Sequence, residues 1–493
     1  MTTIDGITSV SAAEAHGWIG TETVMTRLGN FEFKGGYPTV DAAERLADQR
    51  AYYRAVEVYL AQMPVVSMYN VWRGAADAGR GVPNQVVLWE TSVDARTVLL
   101  TGNSETVYAL CALDLERDGP VVIEVPVGVI GGVTDLWQRQ VLSLGPRNGD
   151  NGNGARFLLL PPAYDACPPG YQVARSSTFR AVMGLRGFPV GGQRERAVAV
   201  LRQVRVYPLA AAGNPSATTF VNASEHSLDL VFSDTEQFFE DLARVIQREP
   251  ADRLTPTERF QLASIGIERG QRFTPNAAQR SLLRDAARFG AAMARANSFS
   301  SNDPSRLVYP DRRWEWAFNG SSPAVDSLKE IDVDHRAAFA YLASGASPAL
   351  VEHVVGQSSQ YLWTPRDSSG EYLDGAKVYR LRLPPGIPVR LFWSLVVYDA
   401  VSRSMLENGA SATISQYSGP EINDDGSVDV FFSPDVPDGF ETNWIKTVPG
   451  KGWFPLLRLC APLPSFFNRD WMPDDIVELK YARPTLTPLG HVH

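Results

Sequence analysis

Asn443-Trp444-Ile445-Lys446-Thr447-Val448-Pro449-Gly450-Lys451-Gly452-Trp453-Phe454 sets two tryptophans around a Pro-Gly-Lys-Gly turn, and Arg458 follows on an expected strand. An indole is large and apolar with a single polar N–H. Two of them beside a tight turn form either a packed corner or a platform for a ligand. The same β-texture extends upstream. Residues 378–383 alternate Tyr, Arg and Leu, residues 391–398 form an apolar strand, and residues 428–432 alternate again. Asn423-Asp424-Asp425-Gly426 supplies a turn of the Asp-Gly hairpin type. Residues 301–493 are therefore expected to form a jelly-roll-like β-sandwich.

Further towards the N-terminus the texture changes twice. Residues 234–297 are helical, with Asp234 as N-cap before Phe238, Phe239, Leu242 and Ile246, and with Glu249-Pro250 as a stop. A second helix runs over 276–296. Residues 86–206 break into short β-type runs punctuated by Gly and Pro, which implies an antiparallel sandwich or barrel. Residues 40–79 are helical, interrupted at Pro64, with Met68, Tyr69 and Trp72 on a second piece. The expected class is mainly β with helical segments, an α+β multidomain chain. Its parts are an N-terminal helical segment (1–80), a β-sandwich (81–232), a helical middle domain (233–300) and the C-terminal sandwich (301–493).

The chain has 493 residues, 44% of them apolar and 20% charged, as in ordinary globular proteins. A net charge of −9 disfavours nucleic acid, which calls for a basic surface. No apolar run is long enough to suggest a membrane span. Cys111, Cys167 and Cys460 are far apart and odd in number, so they are expected to be buried free thiols in a reducing compartment. The first residues show no secretory signal, and a cytoplasmic location is the expectation.

Nucleotide loops, the Gly-x-Ser-x-Gly elbow and His-Glu-x-x-His are all absent. With six histidines, two of them at positions 491 and 493, a histidine-rich metal centre is not expected. Asn148-Gly149-Asp150-Asn151-Gly152-Asn153-Gly154 has the oxygen-rich look of a calcium loop, but its twelfth position is Leu159 rather than a bidentate Glu. No cofactor is expected, and bound Ca2+ or Mg2+ stays open.

Several polar groups could carry chemistry. The segment 94–108 holds Arg96, Thr101, Asn103, Glu105, Thr106 and Tyr108. If it is extended, Thr101, Asn103 and Glu105 share one face and Thr106 and Tyr108 the other. Such a face either lines a pocket or forms a satisfied network. Asp399 ends the apolar strand as a turn cap or an active acid. Glu441, Asn443 and Trp444 place an acid, an amide and an indole together. Arg458 could neutralise Asp399 or Glu441, or grip a carboxylate ligand. Trp314 and Trp316 follow Arg312 and Arg313 as a ligand platform or an interdomain plug.

These stretches together resemble the bacterial two-domain family of domain of unknown function 1254 followed by domain of unknown function 1214. The resemblance runs through 94–97, 100–108 and Leu159-Leu160-Pro161-Pro162. It continues through Phe273-Thr274-Pro275, Phe392-Trp393-Ser394, Tyr398-Asp399, Asn443-Trp444 and 447–453. It implies an N-terminal sandwich, a helical middle and a C-terminal jelly roll over about residues 35–480, and it carries no settled catalytic residues. Cys460 stands where the family usually has Tyr, Asn276 where it has Asp, and Glu105 where Asp is common. Many such relatives are exported, and this chain shows no signal for it.

The expected function is an enzyme acting on a small organic molecule by acid–base or hydrolytic chemistry in a cleft between the β-domains, without a nucleotide redox cofactor. Asp399, Glu441 and Tyr108 are the candidate catalytic groups. Arg96, Asn103, Trp314, Asn443, Trp444, Trp453 and Arg458 are the candidate ligand-binding groups. The alternatives are a non-catalytic small-molecule or carbohydrate binder and an assembly subunit using its sheets to form a homo-oligomer.

Overall fold

A computed structural model describes residues 21–79, 82, 84–145, 152–224, 226–300, 303–318, 333–344, 353–357 and 359–480. Most of the calcium-like loop, the side chain of His335, and His491 and His493 lie outside the described residues.

The first sandwich pairs a six-stranded sheet with a four-stranded one. The six strands run, in spatial order, Thr219–Asn222, Gln85–Leu88, Val107–Asp114, Arg180–Gly187, Val129–Asp135 and Gln140–Leu144. The four are Gln172–Arg175, Ala155–Leu160, Val121–Val125 and Arg205–Pro208. Pairing is antiparallel except at the edges, where Gln172–Arg175 and Thr219–Asn222 join parallel to their neighbours. Strand alternation sorts the side chains. Val107, Ala109, Cys111, Met183 and Leu185 point between the two sheets, against Ile123, Phe157 and Val206. Tyr108, Leu110 and Val182 point the other way, into a larger core shared with the helices and the C-terminal sandwich. Central strands buried on both faces explain why Val107–Asp114 is almost uniformly apolar.

The helix Val40–Ala78 runs unbroken through Pro64, against the expected interruption there. A proline removes one intrahelical bond and crowds the preceding turn. Here Met63, Pro64, Val65 and Val66 are all buried, and packing holds the helix together. It does not stand apart as a separate segment. It packs against Gln237–Arg248, Pro256–Ser264, Ala277–Phe299 and Val333–Leu342, as well as the Val107–Asp114 strand. At Gly290 an added Cβ would lie 2.6 Å from the Tyr59 ring, so only glycine permits this approach. Asn276 caps Ala277–Phe299 in a reciprocal capping box with Gln279.

The C-terminal sandwich has a five-stranded sheet in the order Glu315–Trp316, Ser359–Trp363, Trp453–Pro462, Val389–Asp399, Thr413–Ser415. It stacks on a sheet of Trp444–Lys446, Val428–Ser433, Tyr379–Leu383 and Val477–Glu478. Trp393, Leu395, Val397, Leu457 and Leu459 fill the space between these sheets with Leu381, Val430 and Phe432. The opposite face of the five-stranded sheet carries Tyr361, Val396, Tyr398, Phe454 and Leu456 into the core shared with the first domain. Both β-domains thus meet sheet face to sheet face, with the helices closing the side. Among the described residues no helix is long and apolar enough to cross a membrane. Cys111 and Cys460 are buried, whereas Cys167 is exposed, contrary to the expectation for all three.

Candidate functional site

The Pro-Gly-Lys-Gly stretch is a packed corner. Trp453 lies between the two C-terminal sheets, its ring 4.7 Å from Phe432 and 5.8 Å from Tyr379. Trp444 is half-buried and donates its indole N–H to the Ser433 carbonyl and hydroxyl, both at 3.0 Å. The Thr447 hydroxyl donates to the Gly375 carbonyl at 2.9 Å, and a Cβ on Gly375 would stand 2.1 Å from the Val448 carbonyl oxygen. Trp314 is wholly buried in the same core and donates to the Asp474 carbonyl at 2.9 Å. None of the three tryptophans lines the interdomain cleft.

The acids proposed from sequence are also occupied or remote. Asp399 accepts the Val401 and Ser402 N–H groups at 2.7 and 2.9 Å and the Lys451 ammonium at 2.6 Å. Burial works to raise its pKa, but Lys451 and those N–H groups hold the carboxyl below its ordinary range. Glu441 is exposed and caps its own turn by accepting from Gly439 N–H. Asn443 is a buried staple, accepting from Glu421 N–H and donating to the Glu421 and Asp429 carbonyls.

The segment 94–108 does not run extended between 99 and 106. Thr101 adopts a φ of 43°, and Asn103 accepts the Glu105 N–H at 3.0 Å in a side-chain-closed turn. The turn is clamped by the other domain. Thr101 N–H donates to the Arg403 carbonyl at 2.9 Å, and the Ser104 and Thr413 hydroxyls are 2.9 Å apart. This brings Arg96, Asn103, Tyr108 and Arg458 into one interdomain region. Asp399, Glu441, Asn443, Trp444, Trp453 and Trp314 serve the C-terminal sandwich instead.

A cleft of about 510 Å³ opens at this junction, lined from the first domain by Asp94, Arg96, Ser104 and Glu105. From the second domain come Asn408, Thr413, Ser415 and Tyr417, among others. Arg96 holds Asp94 in a two-pronged ion pair at the rim. Glu105 is partly buried and accepts from the Ser104 hydroxyl at 3.3 Å. Arg194 donates to the Ser104 carbonyl at 2.7 Å beside it, and burial leads the lowering of the Arg194 pKa.

Behind the cleft the two sheets bring polar side chains together. Arg458 donates through Nη2 to the Thr101 carbonyl and the Tyr398 hydroxyl, both at 2.7 Å, and Tyr398 donates onward to the Gly102 carbonyl. It forms no ion pair with Asp399 or Glu441. Arg186 stacks 4.9 Å from the Tyr108 ring centre and hydrogen-bonds Tyr361. Tyr108 accepts the Asn103 N–H at 3.3 Å. Burial, opposed by Arg458, pushes the Tyr398 phenol up to about 12, and burial pushes the Cys460 thiol up to about 11. Both are therefore protonated at neutral pH, so Cys460 is not a thiolate nucleophile.

Sequence reasoning missed Arg186, Tyr361, Ser394 and Tyr417. Arg186 and Ser394 carried a signal, each a polar side chain set inside a mostly apolar strand-length run.

A second cavity, about 250 Å³, lies between the helices and the first sandwich, with Glu249, Arg259 and Arg269 among its lining. Burial pushes the Glu249 carboxyl up to about 7. Its oxygens accept the Phe179 and Arg180 N–H groups at 2.6 and 3.3 Å, so it ties the helix end to the sheet. Among the described residues no group of three His, Cys, Asp or Glu side chains is placed to hold a metal ion.

The chain resembles a crystal structure of a protein from Vibrio parahaemolyticus at 17% identity and a TM-score of 0.53, over 87% of this chain and 100% of that one. This likeness concerns the fold. A structure of an uncharacterised protein from Burkholderia cenocepacia matches at 11% identity and a TM-score of 0.39, over 89% of this chain and 98% of that one. No curated protein matches. Family models match residues 83–208 as "Protein of unknown function (DUF1254)" and residues 358–464 as "Protein of unknown function (DUF1214)". Tyr108 and Arg186 fall in the first matched stretch, and Tyr361, Ser394, Tyr398 and Arg458 in the second. The chain thus carries a DUF1254 match followed by a DUF1214 match, the order of the two-domain family that its sequence resembles.

Proposed function

We propose that the protein is an enzyme that transforms a small organic molecule in the interdomain cleft by proton transfer, with Glu105 as the group that moves the proton. The observation that carries this reading is the cleft itself, walled by both domains and holding the Glu105 carboxylate among the hydroxyls of Ser104, Thr413 and Tyr417. Interdomain clefts are favoured sites for small molecules. A carboxylate there can act as a general base, and the hydroxyls can orient a bound substrate. Asp94 is already neutralised by Arg96. Asp399 is held ionised by Lys451 and lies outside the cleft lining. Glu407 also lines the cleft but is exposed, which leaves the partly buried Glu105 as the better-placed acid.

The test is a metabolite-consumption assay. Wild-type protein and Glu105→Gln are incubated with a bacterial small-molecule extract, and consumed compounds are read by mass spectrometry. Wild type is expected to deplete one compound class. Glu105→Gln, with unchanged circular dichroism, is expected to be at least about 100-fold slower, the lower range for loss of a general base. Equal depletion by both proteins, or none by either, would overturn the proposal.

A further inference from the structure

The inner face of the five-stranded sheet carries an unusual row. Across the strands, Tyr361 stands opposite Arg458, Arg458 opposite Ser394, and Ser394 opposite Ser415. Opposed residues in adjacent strands share a face. This row therefore points at the first domain, where Arg186 stands opposite Tyr108 on the facing sheet.

Two cations thus face one interdomain layer, Arg458 buried and Arg186 partly so, and the contacts described for them are phenols and carbonyls. Arg458 is 3% exposed, and among the described residues its Nη1 has no partner. Ser394 is wholly buried, and its Oγ has none either. A buried guanidinium normally finds a carboxylate, because its desolvation is otherwise uncompensated. A buried unpaired hydroxyl is disfavoured in the same way.

The layer is also open at one point. Arg186 and Gly184, on a central strand of the first domain, are only partly buried, so this part of the layer is accessible. A Cβ on Gly184 would meet only the Leu110 side chain, at 3.6 Å. The walls of that opening are therefore polar on one side, at Arg186, and apolar on the other, at Leu110.

We infer that Arg458, Ser394 and Arg186 form a carboxylate-binding site between the two sheets, and that the ligand is an organic monocarboxylate with a short apolar body. The guanidinium fork and the Ser394 hydroxyl take the carboxylate oxygens, and the room beside Gly184 and Leu110 takes the apolar part. The site lies behind the cleft lining that holds Glu105 and adjoins it through Ser415, which stands opposite Ser394, so it goes beyond the proposed function and rests on that reading only for the claim that the ligand is turned over.

The experiment measures binding of benzoate, propionate and inorganic phosphate to the full-length protein by isothermal titration calorimetry. Wild type, Arg458→Lys, Ser394→Ala and Glu105→Gln are compared, and each is checked by thermal melting. Benzoate is expected to bind wild type, to weaken at least tenfold in Arg458→Lys and severalfold in Ser394→Ala, and to be retained in Glu105→Gln. Ser394→Ala serves as the variant that folds regardless, because it removes an unpaired hydroxyl and its ligand-free melting temperature should not fall. No carboxylate binding, equal binding by the Ser394→Ala and wild-type proteins, or tighter binding of phosphate than of benzoate would overturn the site. Retained benzoate binding with no turnover of any extract component would leave the site standing and remove the catalytic proposal.

Discussion

The tryptophan corner and the interdomain polar layer are built from the same strand, Trp453–Pro462, yet they solve opposite problems. At the corner, Trp453 joins an aromatic core, and the neighbouring polar groups close on one another: Thr447 on Gly375, Trp444 on Ser433, Lys451 on Asp399. A few residues on, Arg458 faces the other domain with one nitrogen left over. Aromatic density marked the place that holds the fold together. The less conspicuous Arg458, Ser394 and Arg186 mark the place with unmet chemistry. Trp453 Nε1 also has no partner among the described residues, so what sets the layer apart is a buried guanidinium nitrogen and a hydroxyl left over on facing positions of adjacent strands.

The comparison can be broken most forcefully at Trp453. Trp453→Ala empties an indole from the sandwich core and is expected to cost about 3–5 kcal/mol of stability. Urea denaturation measures the loss, while benzoate affinity of the protein that remains folded should be unchanged. A selective loss of affinity would make the corner part of the site.

Glu249 tests whether burial alone, away from both regions, perturbs an acid. Its folded pKa of about 7 exceeds the ordinary 4.5. Between those values the folded state binds more protons than the unfolded state, so stability falls as pH rises from 4.5 to 7 and levels off above. The span is on the order of 3 kcal/mol. Urea midpoints at pH 5 and pH 8 should differ in that direction for wild type, and Glu249→Gln should flatten the difference. An unchanged slope in the variant would remove the assignment.

Trp444 is half-buried, and truncation to Ala is expected to cost about 1–2 kcal/mol with turnover untouched. Lost turnover at full stability would restore it as a ligand wall. The smallest effect belongs to Lys451→Ala. Its side chain is 46% exposed and Asp399 keeps its two backbone N–H donors, so removing the pair should cost no more than about 1 kcal/mol, and less in high salt. A larger loss, or one that salt does not reduce, would mean that the corner depends on this charge.

The architecture was legible because alternation and turn chemistry are local. Residues 378–383 alternate, Asn423 to Gly426 turns, and the strand containing Asp399 is apolar, each within a few residues. The site was less legible because it depends on register between distant strands. Nothing local says that Tyr361, Arg458 and Ser394 become neighbours, since they come from three strands of one sheet. The turn at Thr101 hid for another reason. Its polar residues fit an extended strand by pattern, and clamping from Arg403 and Thr413 of the other domain accompanies a different backbone. Pro64 misled because a proline's local cost was outweighed by burial along Val40–Ala78.

That long helix sets a timetable for synthesis. Its apolar flank emerges early, but partners such as Ala340 and Tyr341 are translated some hundreds of residues later. At about 5–20 residues per second, the nascent chain carries an uncovered greasy surface on the order of tens of seconds. Val40–Ala78 and Val333–Leu342 both lie outside the two family-matched segments, so this part of the shared core is expected to close only after the chain has been made past residue 342.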